Sequence, residues 1–272
     1  MTRSRARYLS YIPLVLLSFF YLLPIYVMVL TGLKSLDEVS IKTMWDFPRQ
    51  LSMANFAVAF DELRPYLWNS IKLVIPSSIL SSILGSLNGY VLAKWKFKGA
   101  DIVFPLILFG MFIPYQSILI PLVDFMHKIN LYGGIPGLML VHIIYGIPIT
   151  TLTFRNYYAS IPNELVEAAK IDGAGMFNIY RNILLPISIP SFVVVLIWQF
   201  TQAWNDFLFS VVLTSSRNWT VTVGLNNMAG GQIIAWNVQM AASFIAALPT
   251  LLVYIFLGKY FIRGMMAGSL KG

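Results

Sequence analysis

Side chains able to do chemistry are scarce in this chain, and they gather in two places. Eleven acidic residues, two histidines and no cysteine occur among 272 residues. One group is Glu164, Glu167 and Asp172, in a polar island that continues through Gly173 between two apolar blocks. The other is Asp206, an acid within reach of an apolar helix, with Gln199, Gln202, Trp204 and Asn205 beside it. Neither group suits hydrolysis, because no Ser/His, paired-Asp or metal-ligand constellation stands in the apolar segments. His127 and His142 lack a Cys or second His at ligand spacing and read as satisfied interior or loop residues. The absence of cysteine removes disulfides, thiolate metal sites and thiol nucleophiles. No G-x-x-x-x-G-K-[ST] phosphate loop is present, so the chain does not itself bind ATP. The chemistry left is recognition and docking.

The region around Asp206 fits recognition of a polar solute. A carboxylate inside a membrane is costly and marks a cavity, a pair or a pathway. Gln199, Gln202 and Asn205 add donors and acceptors and Trp204 adds an aromatic face, the mix a sugar needs. In an earlier apolar segment, Tyr115 and Gln116 lie between Pro114 and Pro121, where kinked backbone can line a cavity. Two roles stay open for Asp206, contact with a solute or bracing of its helix against a neighbour. Bracing is the favoured one.

The elements that hold these groups are membrane helices. The chain is 58% hydrophobic and 11% charged with a mean hydropathy of +0.73, beyond what a soluble surface tolerates. Its apolar runs are about 20 residues long, the length that crosses a hydrocarbon core. Lipid offers no partners to a bare backbone, so the runs are helices. Six spans are expected, near Tyr11–Gly32, Tyr66–Ala93, Ile102–Val123, Ile135–Tyr157, Ile187–Thr214 and Met240–Ile262. Pro24, Pro76, Pro105, Pro114, Pro148, Pro190 and Pro249 predict kinks. The fold class is therefore an all-α integral membrane protein, read as one domain over residues 1–272.

The net charge of +8 follows the membrane rather than a nucleic acid. Arg3, Arg5, Arg7, Lys94, Lys96, Lys98, Arg155, Lys170, Arg181, Lys259, Arg263 and Lys271 fall on one side of this topology. The other side holds Lys34, Lys42, Arg49, Arg64, Lys128 and Arg217, partly balanced by acids. The positive-inside rule puts the richer side, with both termini, in the cytoplasm. The N-terminal apolar stretch is too long for a signal peptide and lacks a cleavage site, so it reads as an uncleaved first helix. Ser35–Pro65 is the longest polar connection, and Trp45, Phe47, Pro48 and Phe56 suit short interfacial helices or a docking surface. Gly85-x-x-x-Gly89, with Ser78, Ser82 and Ala93 on the same stripe, predicts close helix packing.

The polar island at about 158–186 predicts a helix-turn-helix outside the membrane. Pro162 opens the first helix, and Glu164 and Glu167 favour the positive end of its dipole. Gly173 permits the left-handed turn that ends it, and a second helix runs from Ala174 toward Pro186. Leu165, Ala168, Ala169 and Ile171 form a small apolar surface that a partner could approach.

Glu167-Ala168-Ala169, Asp172-Gly173-Ala174, Ile183, Leu185 and Pro186 resemble, spacing included, the EAA loop of ABC importer permeases. Ile113-Pro114-Tyr115-Gln116, Trp204-Asn205-Asp206 and the ending from Arg263-Gly264 to Gly272 add to the match. The chain is similar to the second six-span permease of the carbohydrate-uptake group, a type I importer permease, from about Asn55 to the last residue. That resemblance implies a non-catalytic subunit paired with a second permease in the inner membrane. It implies two cytoplasmic ATPase subunits that bind ATP and Mg and whose grooves receive the EAA loops of the two permeases, here Glu164, Glu167, Ala168, Ala169, Asp172, Gly173, Ala174, Ile183, Leu185 and Pro186. It also implies an extracytoplasmic sugar-binding protein, and a C-terminal tail that reaches the ATPases.

Leu87-Asn88-Gly89-Tyr90 and Phe154-Arg155-Asn156-Tyr157-Tyr158 look most like the monosaccharide branch, of glucose or mannose type. Import of glycerol phosphate or an oligosaccharide is the same-fold alternative. An ion-coupled carrier fits less well, since it would show inverted repeats and more intramembrane carboxylates.

Overall fold

The computed structural model describes residues 11–95, 97–230 and 235–269, and from residue 261 onward the backbone alone. Among them the chain is helical, and the strand-like pairing is an isolated bridge between Gly133 and Thr214. The helices are α1 (Tyr11–Gly32), α2 (Ala54–Lys94), α3 (Ala100–Phe109), α4 (Leu119–Lys128), α5 (Ile135–Ser160) and α6 (Asn163–Ile171). They continue with α7 (Met176–Ile187), α8 (Ile189–Trp204), α9 (Leu208–Leu213), α10 (Val221–Ala229) and α11 (Trp236–Ser269). Four described helices are long and apolar enough to cross a membrane, or up to six spans if each of two bent pairs counts as one. The sixfold count agrees with the sequence. The shapes do not.

Three expected spans are redrawn. The second begins at Ala54 rather than Tyr66, because Ala54–Pro65 is already helical. The third turns by 89° between Ala100–Phe112 and Tyr115–Lys128. Ile113 precedes a proline and is held extended (φ −76°, ψ 116°), which stops the first piece. The fifth bends by 78° at Ser188 and stops at Trp204, leaving α9 as a separate piece. Pro190, at the start of α8, has no N–H to extend a helix from before the bend.

The chain groups into two compact units. The first comprises Met1–Pro65 and Gly224–Pro249. Its polar connection holds two 3₁₀ turns, Leu36–Glu38 and Ile41–Thr43, and not the full stretch to Pro65. Trp45 and Phe47 are exposed as expected, whereas Phe56 belongs to α2 and packs edge-on against Phe244. The Lys34 ammonium is buried and donates to the Thr43 carbonyl at 2.6 Å. Asn55 donates to the carbonyls of Gly32 and Lys34, and Asn237 donates to those of Lys34 and to the Asn55 side chain.

The second unit comprises Tyr66–Val223 and Thr250–Gly272. Its α2 and α5 meet on the small-residue stripe that the sequence marked. A Cβ on Gly85 would lie 2.0 Å from Thr150 Oγ1, and one on Gly89 would lie 2.6 Å from the Arg155 backbone nitrogen. Ser82 at 0% and Ser78 at 4% exposure share this buried face. At its C-terminal end, α11 is helical through Ser269, so most of the tail from Arg263 onward continues the helix. Arg263–Ser269 side chains and Leu270–Gly272, like Arg3, Arg5, Arg7 and Lys96, lie outside the described residues.

Candidate functional site

The polar island folds as α6, a turn and α7. Gly173 takes φ +79°, and its N–H bonds the Lys170 carbonyl while Ala174 N–H bonds that of Ala169. These two bonds form a Schellman cap, so the expected glycine stop is present. Pro162 stands one residue earlier than expected, as the N-cap. Within α7, residues Tyr180–Leu184 form a π turn. Pro186 has no N–H to return to the Asn182 carbonyl, which favours a loosened pitch there.

Exposure divides the island into an inner and an outer face. Glu164, Glu167, Ala168, Asp172 and Gly173 are exposed, with Ile171 at 87% and Phe177 at 64%. Ala169 is buried at 7%, so the apolar surface expected of Leu165, Ala168, Ala169 and Ile171 loses Ala169 to the inside. Ala174, Ile183 and Leu185 are half-buried and Pro186 is exposed. Beneath them, Val166, Ala169, Ile179, Tyr180 and Leu184 pack with Tyr90, Phe154, Tyr158 and Val195 into one apolar cluster. The Tyr90 and Tyr180 rings stack at 5.5 Å. Phenol hydroxyls tie three helices together: Tyr180 donates to Ser86 at 3.0 Å, Tyr158 lies 2.6 Å from Ser86, and Tyr158 donates to Ser188 at 3.1 Å. Lys94 caps the junction by donating to the Ile161 carbonyl and to Asn163 Oδ1.

The second candidate region surrounds a cavity of about 600 Å³ in the same unit. That volume lies in the range of sites for small polar molecules. Each wall is one helix face at helical spacing: Ser77, Ser78 and Ser81 on α2, His142, Tyr145, Gly146 and Ile149 on α5, and Trp198, Gln199 and Gln202 on α8. Asn205 and Asp206 close one side with Phe209, and Tyr115 adds a ring 5.2 Å from Phe209. Tyr115, Gln199, Gln202, Asn205 and Asp206 are therefore brought together as the sequence anticipated. Gln116 and Trp204 are not in the wall. Gln116 is exposed, because it follows Tyr115 in one 3₁₀ turn, where consecutive side chains point about 120° apart, and Trp204 is buried at 2% with its ring stacked on Phe200.

Three contacts set the polar geometry of the wall. Gln199 Nε2 donates to Ser81 Oγ at 2.6 Å, across a gap that Gly146 keeps open. Asp206 accepts from the backbone N–H groups of Phe209 (3.2 Å) and Ser210 (3.0 Å), so its carboxylate starts α9. His142 Nε2 lies 3.3 Å from Asp206 Oδ2. The sequence supplied no sign of this last pair, since 64 residues separate its members. The helical spacing of His142, Tyr145, Gly146 and Ile149 marks one face of α5 but says nothing of Asp206. Among the described residues no three His, Cys, Asp or Glu side chains gather as a metal site.

Residues 81–266, which contain most of the cavity wall and the whole of α6 and α7, match the model for the binding-protein-dependent transport system inner membrane component. The chain belongs to this family of importer permeases. A probable ABC transporter permease of Pyrococcus horikoshii is 48% identical over 271 residues, covering 99% of this chain and 98% of that one. The xylose/arabinose import permease XacI of Haloferax volcanii is 36% identical over 90% of this chain and 87% of its own length. The glucose import permease GlcU of Saccharolobus solfataricus is 32% identical over 97% and 96%. A solved bacterial ABC transporter for the polysaccharide alginate has the same fold, with TM-score 0.78 and 20% identity over 96% of this chain and 99% of that one. The permease is thus a multi-pass membrane component of type I importer fold.

Proposed function

We propose that this permease carries a sugar, with a glucose- or mannose-type monosaccharide as favoured cargo, as one half of an ATP-driven importer. A second permease subunit forms the other half of the path, and an extracytoplasmic binding protein delivers the sugar. Of two ATPase subunits, which hold ATP and Mg, one grips the exposed face of α6 and its turn through Glu164, Glu167, Ala168, Asp172 and Gly173. Both termini and this face are cytoplasmic. The chain acts as a single permease domain and performs no catalysis.

The cavity wall carries this reading. Its lining residues offer hydroxyls, amides, a histidine and aromatic rings, and include no Lys or Arg. Such a wall suits a neutral polyol better than glycerol phosphate, whose charge calls for a cation. Lys72, a basic residue within α2, lies over the Trp68 ring and not in the wall. The import of xylose, arabinose and glucose named for two relatives points to the same cargo class.

The test is to purify the intact complex through a tag on this chain, identify its partners, and reconstitute it in vesicles. ATP hydrolysis is then measured with binding protein loaded with D-glucose, D-mannose, D-xylose, maltotriose or glycerol 3-phosphate. A co-purified ATPase and strongest stimulation by a monosaccharide are expected. Strongest stimulation by glycerol 3-phosphate or maltotriose would move the assignment to the alternative cargo, and absence of an ATPase would overturn it.

A further inference from the structure

We infer that His142 reads a sugar hydroxyl in this cavity and that Asp206 positions it. The inference rests on the sugar-import reading above and deepens it. His142 comes from α5 and Asp206 from the break between α8 and α9, and both side chains lie in the cavity wall, 11% and 10% exposed.

The carboxylate is already committed before any solute arrives. Its oxygens take the N–H groups of Phe209 and Ser210, and its own backbone carbonyl takes the Thr222 hydroxyl at 2.5 Å. Asp206 is thereby fixed by α9 and α10, with little capacity left for a ligand. A carboxylate that takes two backbone N–H groups acts as an acceptor, so the contact is assigned to the His142 tautomer that carries its hydrogen on Nε2, 3.3 Å from Asp206 Oδ2. In the neutral ring this leaves a lone pair on Nδ1, and no hydrogen bond among the described residues uses it. A lone acceptor in this wall is complemented by an O–H donor.

The surroundings favour a sugar as the source of that hydroxyl. Tyr115, Tyr145 and Trp198 present ring surface to the same space, against which the C–H face of a pyranose can lie. The Gln199 amide nitrogen is spent on Ser81, which leaves the neighbouring amides of Gln202 and Asn205 for further hydroxyls. Asp206, the residue that the sequence made conspicuous, then acts through His142 and does not touch the sugar.

The inference is tested with the complete reconstituted complex, as wild type, His142→Leu and His142→Gln. Uptake is driven by binding protein saturated with D-glucose or with its 2-, 3-, 4- or 6-deoxy analogue, so that selection by the binding protein is removed. Loss of one neutral hydrogen bond lowers D-glucose uptake by about three- to tenfold in His142→Leu. One deoxy analogue, lacking the hydroxyl that His142 reads, is moved equally by wild type and His142→Leu, because the contact is already gone. His142→Gln keeps an acceptor and recovers most of the D-glucose uptake while changing the ratio for that same analogue. Equal losses for all five sugars in His142→Leu overturn the inference, as do unchanged ratios in His142→Gln if His142→Leu does not assemble. An assembled wild-type complex that hydrolyses ATP and moves none of these sugars overturns the cargo reading itself, and the two failures are thereby told apart.

Discussion

The cluster beneath α6 and α7 and the wall of the cavity use similar side chains to opposite ends. Beneath α6 and α7, Tyr90, Tyr158 and Tyr180 are buried, their rings meet one another, and their hydroxyls are spent on Ser86, Ser188 and the Met176 carbonyl. Around the cavity, Tyr115, Tyr145, Gln202 and Asn205 face open space. A filled aromatic cluster transmits displacement as a solid, since close-packed interiors have little compressibility. An open polar wall keeps its hydrogen-bonding capacity for a solute. Under the proposed function, the difference separates a lever from a binding surface within one unit.

The largest effect should come from filling the seam between α2 and α5. Gly85→Ala places a methyl 2.0 Å from Thr150 Oγ1 and 2.8 Å from the Thr150 backbone carbon, so α5 itself must move. We expect a loss of about 3 kcal/mol, at the upper end for overpacking, read as a large fall in the melting temperature of the solubilised complex. Gly146→Ala, whose methyl would meet the movable Gln199 amide at 1.9 Å, should cost clearly less. Equal shifts would show that the cavity wall is as rigid as the seam.

Next is Glu167→Lys, which should abolish uptake and ATPase association while leaving melting within about 0.5 kcal/mol of wild type, since the side chain is exposed. Gly173→Asp should lose uptake as well, but not by crowding the turn. No atom lies within 4 Å of a Cβ there, and the cost is the positive φ, about 1–2 kcal/mol. Normal uptake in both variants would deny the lever its grip.

Smaller again is Asp206→Asn, which gives two backbone N–H groups and His142 a weaker acceptor. A melting shift of about 1 kcal/mol and a partial change in sugar discrimination are expected, weaker than those of His142→Leu. A melting shift with unaltered discrimination would leave Asp206 as a brace alone. The smallest effect belongs to Tyr158→Phe. Ser86 keeps Tyr180, Ser188 keeps the Leu185 carbonyl, and a hydrogen bond between membrane helices averages only about 0.6 kcal/mol. If Tyr158→Phe destabilises as much as Gly85→Ala, the hydroxyl network and not close packing holds the lever.

Much of this was legible because it depends on neighbours along the chain. The span count follows from apolar length, the Gly173 stop from the lack of a Cβ, and the Gly85/Gly89 stripe from helical periodicity. Breaks at Ile113-Pro114 and Ser188 were signalled by proline, but their angles of 89° and 78° were not. A proline removes a hydrogen bond locally, whereas the direction the chain then takes depends on what it packs against.

The sequence alone determined that the chain is an all-helical membrane permease, since length, hydropathy and motif spacing are one-dimensional properties. Only the tertiary structure decided which polar groups share a cavity. It joined His142 to Asp206, sent Gln116 outward, buried Trp204 and turned Ala169 into the cluster. These outcomes depend on contacts across tens of residues and on the rotation of each helix about its axis. No local propensity encodes them, because close packing chooses among rotations that look equivalent from one segment alone.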